Sequence, residues 1–257
     1  MLRPRIIPCL LIRNKGLVKT VKFKDEKYVG DPINAVKIFN EKEVDELIVL
    51  DIDATAKNQE PDYQMIKNLS AECRMPLCYG GGIKTIEQAK KILSLGVEKV
   101  AFSSAALENP NLLKELSEQV GSQSVVVVLD VKKAFLSRRY EIFTHNGKKK
   151  SDLNLLESLK KFQELGIGEI VINSIDHDGV MTGYDWNLIE QVYPEVRIPL
   201  TILGGVGSLE DIKKLIQNYK IIGAAAGSFF VFKGKYRAVL ISYFNQVEKQ
   251  SLMNKTD

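Results

Sequence analysis

The chain is poor in the residues from which metal sites and disulfide frameworks are built. Its 257 residues include only two histidines and three cysteines. His145 and His177 lie 32 positions apart, and neither has a cysteine or carboxylate neighbour at a zinc-ligand spacing. No protein-bound metal is therefore expected, and no motif calls for any other cofactor. Cys9, Cys73 and Cys78 form no C-x-x-C pair and are odd in number, which argues against a disulfide framework and fits a reducing, cytoplasmic setting. Long apolar runs are missing too. MLRPRIIPCLLI is too short for a signal peptide, and charges interrupt every later run before membrane-spanning length. Nor is there an excess of one charge: 36 Lys and Arg against 32 Asp and Glu implies neither a nucleic-acid nor a membrane partner. With so little histidine, acid–base chemistry falls mainly to carboxylates, lysines or tyrosines.

What is present is a strict alternation. RIIPCLLI, ELIVLDID, PLCYG, EKVAFSS, SVVVVLDV, EIVINSID, PLTILG and KIIGAAAGS predict eight strands. Between them, DPINAVKIFNEKEV, DYQMIKNLSAEC, TIEQAKKILSLG, NPNLLKELSEQVG, SDLNLLESLKKFQELG, DWNLIEQVYPEV and SLEDIKKLIQNY carry apolar residues at helical spacing. Thr85 and Ser208 are start signals for two of these helices, and Gly96 and Gly166 are stop signals. Alternating strands and helices imply a parallel sheet, and continuous apolar runs imply strands buried on both faces. The length matches an eight-unit barrel, so the expected fold is one (β/α)8 TIM-barrel domain over residues 1–257, ending in a polar tail at 249–257.

The chain also repeats. Glu46-Leu47-Ile48-Val49 returns 123 positions later as Glu169-Ile170-Val171-Ile172, Asp53 as Asp176, and Gly81-Gly82 as Gly204-Gly205. Two half-barrels, near 1–121 and 122–248, are the natural reading, whereas a doubly wound open sheet does not require such a repeat. Insertions at 14–30 and 133–151 are expected as hairpins or mobile loops over the barrel mouth. Pro8 is awkward, because proline removes a ladder donor from the first strand.

The repeated glycine turns are the first chemical signal. Gly80-Gly81-Gly82 follows the third strand and Gly204-Gly205-Val206-Gly207 the seventh. One unit later come Ser103-Ser104 and Gly227-Ser228. Glycine lets backbone N–H groups approach an anion, and small hydroxyl residues opening a helix or turn can complete the cup. An isolated Gly-Gly would mean only a tight turn. Two in register point instead to a ligand with two anionic ends spanning the mouth. Carboxylates at strand ends are the second signal: Asp51, Asp53, Asp130, Asp176 and Asp178. Asp130, between Leu129 and Val131, is the expected acid or base with a raised pKa. Asp53 and Asp178 also fit a cap or a paired structural charge, and His177 a solvated loop.

Over essentially its full length the chain resembles the cyclase subunit of imidazole glycerol phosphate synthase. The resemblance is carried by RIIPCLLI, DELIVLDI, YGGGI, the AALENP run, GSQSVVVVLDVK, FTHNGKKK, SIDHDGVMTGYD, GGVGS and AAAGSFF. It implies a barrel that receives ammonia from a glutaminase subunit docked at its N-terminal face. The ammonia is used at the C-terminal face on a bis-phosphorylated ribotide. Gly82, Ser103 and Ser104 would then bind one phosphate, and Asp178, Gly179, Gly205, Gly227 and Ser228 the other. Lys19 and Asp51 would organise the rest of the site. The family's ammonia gate, a ring of charges at the barrel base, maps onto Arg5, Glu46, Lys99 and Glu169.

One departure matters most. The family's chemistry uses two facing aspartates; Asp130 matches one, and Leu11 stands at the other. Cys9 and Asn14 are the nearest alternatives, but Cys9 should alternate with Leu10 across the strand and asparagine is a poor acid. Leu203 and Asn173 replace two further polar positions. General acid–base groups contribute ~10²–10⁴-fold in rate, so cyclisation should be crippled even where ligand still binds. The resemblance then implies a divergent paralogue serving amidation of a bacterial surface-glycan sugar, passing ammonia to a separate sugar amidotransferase. The alternatives are an authentic cyclase of histidine biosynthesis and a silent scaffold that activates the glutaminase.

Overall fold

The computed structural model describes residues 3–253. Eight parallel strands form its centre: β1 (Arg5–Arg13), β2 (Leu47–Asp51), β3 (Leu77–Gly80), β4 (Lys99–Phe102), β5 (Val125–Lys133), β6 (Glu169–Ser174), β7 (Leu200–Leu203) and β8 (Gly223–Ala226). Each pairs with the next, and β8 returns to β1 in the register Arg5↔Gly223, so the sheet closes. This is the expected (β/α)8 barrel, and each strand coincides with its expected run, β1 passing the end of its run by one residue and β5 by two.

The helices are α1 (Pro32–Glu41), α2 (Tyr63–Glu72), α3 (Ile86–Ser94), α4 (Ser104–Glu108), α5 (Asn111–Val120), α6 (Leu155–Glu164), α7 (Trp186–Val192), α8 (Leu209–Tyr219), α9 (Ser228–Val231) and α10 (Gln246–Met253). Thr85 and Ser208 start α3 and α8 with reciprocal capping boxes to Gln88 and Asp211. The short α4 and α9 have no clear signal in the sequence, since a single turn buries too few residues to show a period. Helix α10 lies where a polar tail was expected. Leu252 anchors it at 2% exposure, and Lys249 reaches Asp45 at 2.8 Å. Residues 254–257 of that tail lie outside the described residues.

Strand alternation separates two cores. Ile6 and Leu10 face outward into the layer shared with the helices, while Ile7 and Cys9 join Ile48, Cys78, Val126, Val171 and Ala225 in filling the barrel. Burial on both faces is why the strands read as unbroken apolar runs. Pro8 pairs with Ala226 on the β8 side, whereas the β1–β2 register opens one residue later, at Cys9↔Ile48. The Ile6 N–H turns to Asp45 on the β2 side, so by alternation the nitrogen of Pro8 faces the same side, below that ladder. The missing donor therefore falls at the edge of the β1–β2 ladder and not within it.

Both insertions are ordered hairpins. Gly16–Val21 and Lys24–Gly30 extend β1 through Leu11↔Val18, and Tyr140–Thr144 and Lys149–Asn154 extend β5 through Asp130↔Phe143. They lean across the mouth: Asn146 donates to the Ile52 carbonyl at 2.8 Å, and Phe23 packs close to Gly147. A third, smaller hairpin joins Phe232–Lys233 to Ala238–Val239. No helix among the described residues is long and apolar enough to cross a membrane.

Candidate functional site at the barrel mouth

The C-terminal ends of the strands open into two lobes. One, about 760 Å³ including its open entrance, lies over β6–β8 and is lined by Cys9, Leu11, Lys19, Asp178, Gly179, Gly205, Gly227 and Ser228. The other, about 630 Å³, lies over β2–β4 and is lined by Asp51, Gly82, Ser103, Ser104 and His145. Asp130, Leu50, Ile52 and Asn146 line both, so Asp130 stands where the lobes meet.

The repeat is visible in the backbone. Ser103 (φ −123°, ψ −84°) opens α4 and Gly227 (φ −101°, ψ −77°) opens α9, 124 residues on. Neither turn has a side-chain cap, so N–H groups there are left for water or ligand. The glycines have steric reasons. A Cβ on Gly205 would meet the Gly183 carbonyl oxygen at 2.1 Å, and one on Gly179 the Thr20 carbonyl oxygen at 2.0 Å, and both residues have positive φ. The second contact is where the first hairpin seats on the loop after β6. Asp178 pins it by accepting from the Thr20 hydroxyl at 2.7 Å and the Phe23 N–H.

Lys19, in a lysine-rich insertion, is 4% exposed rather than solvated. Its ammonium donates to the Cys9 carbonyl and lies 2.5 Å from the place a Cβ of Gly227 would take. Burial lowers its pKa, opposed by Cys9 and Asp178. Burial also raises Asp178, against the pull of Thr20 and Lys19.

Asp130 is the most perturbed carboxyl of the mouth. Burial pushes it up to about 7, with Asn173 opposing through a hydrogen bond from Nδ2 at 2.8 Å, and Asp178 adding to the rise. The amide oxygen of Asn173, Oδ1, is buried and has no hydrogen-bond partner among the described residues. Leu11, Leu50 and Leu203 line the same lobe, over β6–β8. Cys9 lies on the same inward face of β1 as Leu11, so alternation does not exclude it, but burial raises its thiol to about 11 and it is no acid for neutral pH. Asn14 is exposed and holds Lys57 and Asp53 instead. Neither replaces the carboxylate missing at Leu11.

The other acidic residues are engaged locally. Asp51 lines the lobe over β2–β4 while accepting from the Asp53 and Ala54 N–H groups; burial raises its pKa against these bonds. Asp53 pairs with Arg13 and Lys57, and Asp176 accepts from the Lys133 N–H. His177 bonds the Gly183 carbonyl through Nδ1. Among the described residues no cluster of His, Cys, Asp and Glu could hold a metal.

At the opposite end, Arg5, Glu46, Lys99 and Glu169 form a closed ring. Arg5 bonds both glutamates, and Lys99 reaches Glu46 at 2.7 Å and Glu169 at 2.8 Å. Thr201 adds a bond to Glu169 at 2.6 Å. Burial works against the charged form of Glu169, but Arg5 and Lys99 outweigh it and hold the carboxyl below its ordinary range. Above the ring the interior is apolar up to Cys9 and Leu11. Below it a concave base is lined by Arg3, Asp45, Pro76, Pro199 and Ile221.

Sequence reading did not single out Thr20, Phe23 or Asn146. Each acts from a hairpin across the mouth, and no local pattern signals which far loop a hairpin tip will touch.

Fold and site together define a (β/α)8 barrel with a two-lobed polar mouth, one buried carboxyl between the lobes, and a charged plug at the base. A family model described as Histidine biosynthesis protein matches residues 5–237. The chain is 59% identical over 253 residues to a Vibrio vulnificus protein provisionally named imidazole glycerol phosphate synthase subunit hisF3, spanning 98% of this chain and 97% of that one. It is 53% identical over 243 residues to the provisionally named subunit hisF2 of Pseudomonas aeruginosa, spanning 95% and 96%. Imidazole glycerol phosphate synthase subunit HisF of Petrotoga mobilis is 41% identical over 226 residues, 88% of each chain. The chain belongs to this family, as a HisF-like imidazole glycerol phosphate synthase subunit.

Proposed function

We propose that the protein is the synthase-type subunit of a glutamine amidotransferase complex whose ammonia serves an acceptor other than the cyclase substrate. A glutaminase partner would dock on the concave base. Ammonia would pass the ring of Arg5, Glu46, Lys99 and Glu169 and cross the apolar interior, where a neutral molecule travels and ions do not. It would emerge beside Asp130, between two lobes suited to the anionic ends of a phosphorylated ligand. Gly82, Ser103 and Ser104 would hold one end. Gly179, Gly205, Gly227 and Ser228 would hold the other, with Asp178 ordering the hairpin over it and Lys19 and Asp51 organising the space between.

The observation that carries the reading is Leu11. With a carboxyl near pKa 7 on one side of the mouth and leucine at the position where the resemblance expects its facing partner, proton donation and removal are not divided between two opposed aspartates. Amidation of a surface-glycan sugar, through a separate sugar amidotransferase, fits such a subunit. The competing reading is a working cyclase of histidine biosynthesis, favoured by the intact lobes and by Asp130 itself. Ammonia-dependent turnover of the family's bis-phosphate substrate by the purified chain separates them. We expect binding with negligible turnover, and partial activity in Leu11→Asp. Turnover by the natural protein at ordinary enzymatic rates would establish the cyclase instead.

A further inference from the structure

The two lobes are alike in backbone and unlike in charge. No lysine or arginine lines the lobe of Gly82, Ser103 and Ser104. The lobe of Gly227 and Ser228 is lined by Lys19 and by Arg13, the latter held by Glu26 and Asp53, and a further cation arrives from the small hairpin after α9. There Arg237, half-buried at the end of a turn closed by its own N–H to the Gly234 carbonyl, extends its Nη2 to 3.4 Å from the Ser228 hydroxyl. Its guanidinium lies over the Phe232 ring at 4.7 Å, which fixes the plane of the fork. Lys27, from the first mouth hairpin, donates to the Arg237 carbonyl at 3.0 Å. The backbone at Arg237 is left-handed, φ 49°, a conformation the turn imposes on a residue other than glycine.

Ser228 is a weak reason for an arginine to be there, because a hydroxyl satisfies one N–H of five. Through Ser228 the guanidinium reaches the edge of the lobe, near Asp178, whose carboxylate accepts from Thr20 and the Phe23 N–H and is drawn toward its charged form by Lys19 and Arg237. A guanidinium so placed is matched by a phosphoryl group, which can accept two parallel N–H bonds while Lys19 balances the second negative charge.

We propose that Arg237 is an anion-binding residue of the β8 lobe, and that with Lys19 it makes this lobe the seat of a phosphate-monoester dianion, the β4 lobe taking the less charged end of the ligand. The assignment rests on the reading of the lobes as anion cups. Because Lys27 ties Arg237 to the first hairpin, filling the β8 lobe would also steady that hairpin over the mouth.

Calorimetric titration of the full chain with inorganic phosphate tests this. The natural protein should bind, and Arg237→Gln should weaken the tighter site by about tenfold or more, as expected for loss of hydrogen bonds to a charged group. Arg237→Lys, which keeps charge but loses the fork, should fall between. Combined with Ser228→Ala the loss should be non-additive, and combined with Ser104→Ala in the far lobe additive. An arginine that merely glues the hairpin to Phe232 would lower the thermal midpoint without this pattern. Undiminished phosphate affinity in Arg237→Gln overturns the assignment while leaving the cups standing. Absence of phosphate binding by the natural protein overturns the cup reading and Arg237 with it.

Discussion

Asp130 is subject to two opposed influences. Burial favours its neutral form and the Asn173 amide favours its charged one, and burial wins, leaving the carboxyl near 7. An unfolded chain releases that proton near 3.8, so between about pH 4 and 7 the folded state binds more protons than the unfolded one. Stability contributed by neutral Asp130 is therefore complete below about 4 and is lost as pH rises through 7. Asp130→Asn removes the effect: relative to the natural protein it should gain roughly 2–4 kcal/mol between pH 4 and pH 8, read from urea unfolding at each pH. Asn173→Leu withdraws the opposing bond and should move the Asp130 titration upward, visible by carboxyl NMR. The sequence marks Asp130 by its place at a strand end. It does not reveal that Asn173, a strand away, sets the balance, because that pairing exists only once β5 and β6 are in register at Asn173↔Asp130.

At the scale of elements, strands and long helices were legible because burial imposes a period. The hairpins were legible only as interruptions. What orders the first of them is Asp178, far along the chain, holding Thr20 and Phe23. Asp178→Ala should therefore speed amide hydrogen exchange across residues 16–30 while the barrel strands keep their protection. Helix α10 escaped detection for the reverse reason. It is mostly exposed, and its single deep anchor, Leu252, makes no periodic stripe. Leu252→Ala should cost roughly 2–4 kcal/mol in chemical unfolding, whereas a disordered polar tail would register no change.

For the whole molecule, the base ring ties β1, β2, β4 and β6 together with two cations and two anions that are individually costly to bury. Lys99→Met leaves Glu46 and Glu169 sharing Arg5 and should destabilise the barrel by about 3–5 kcal/mol in denaturant unfolding. Because the folded pKa of Glu169 is held below its ordinary 4.5, the stability it adds is present above that value and fades as pH falls through the depressed one. The sequence by itself determined the barrel, since alternating apolar periods, a 123-residue repeat and a length of 257 leave few other ways to bury such strands. It also placed the glycine turns, the strand-end carboxylates and, by resemblance, the four charges. Only the tertiary structure decided that Lys19 is buried, that Asn14 faces away from the mouth, that the two hairpins meet above it, and that Arg237 turns back onto Ser228. The reason is range: a period is written in neighbouring residues, whereas the environment of a side chain is set by whichever distant loops close around it.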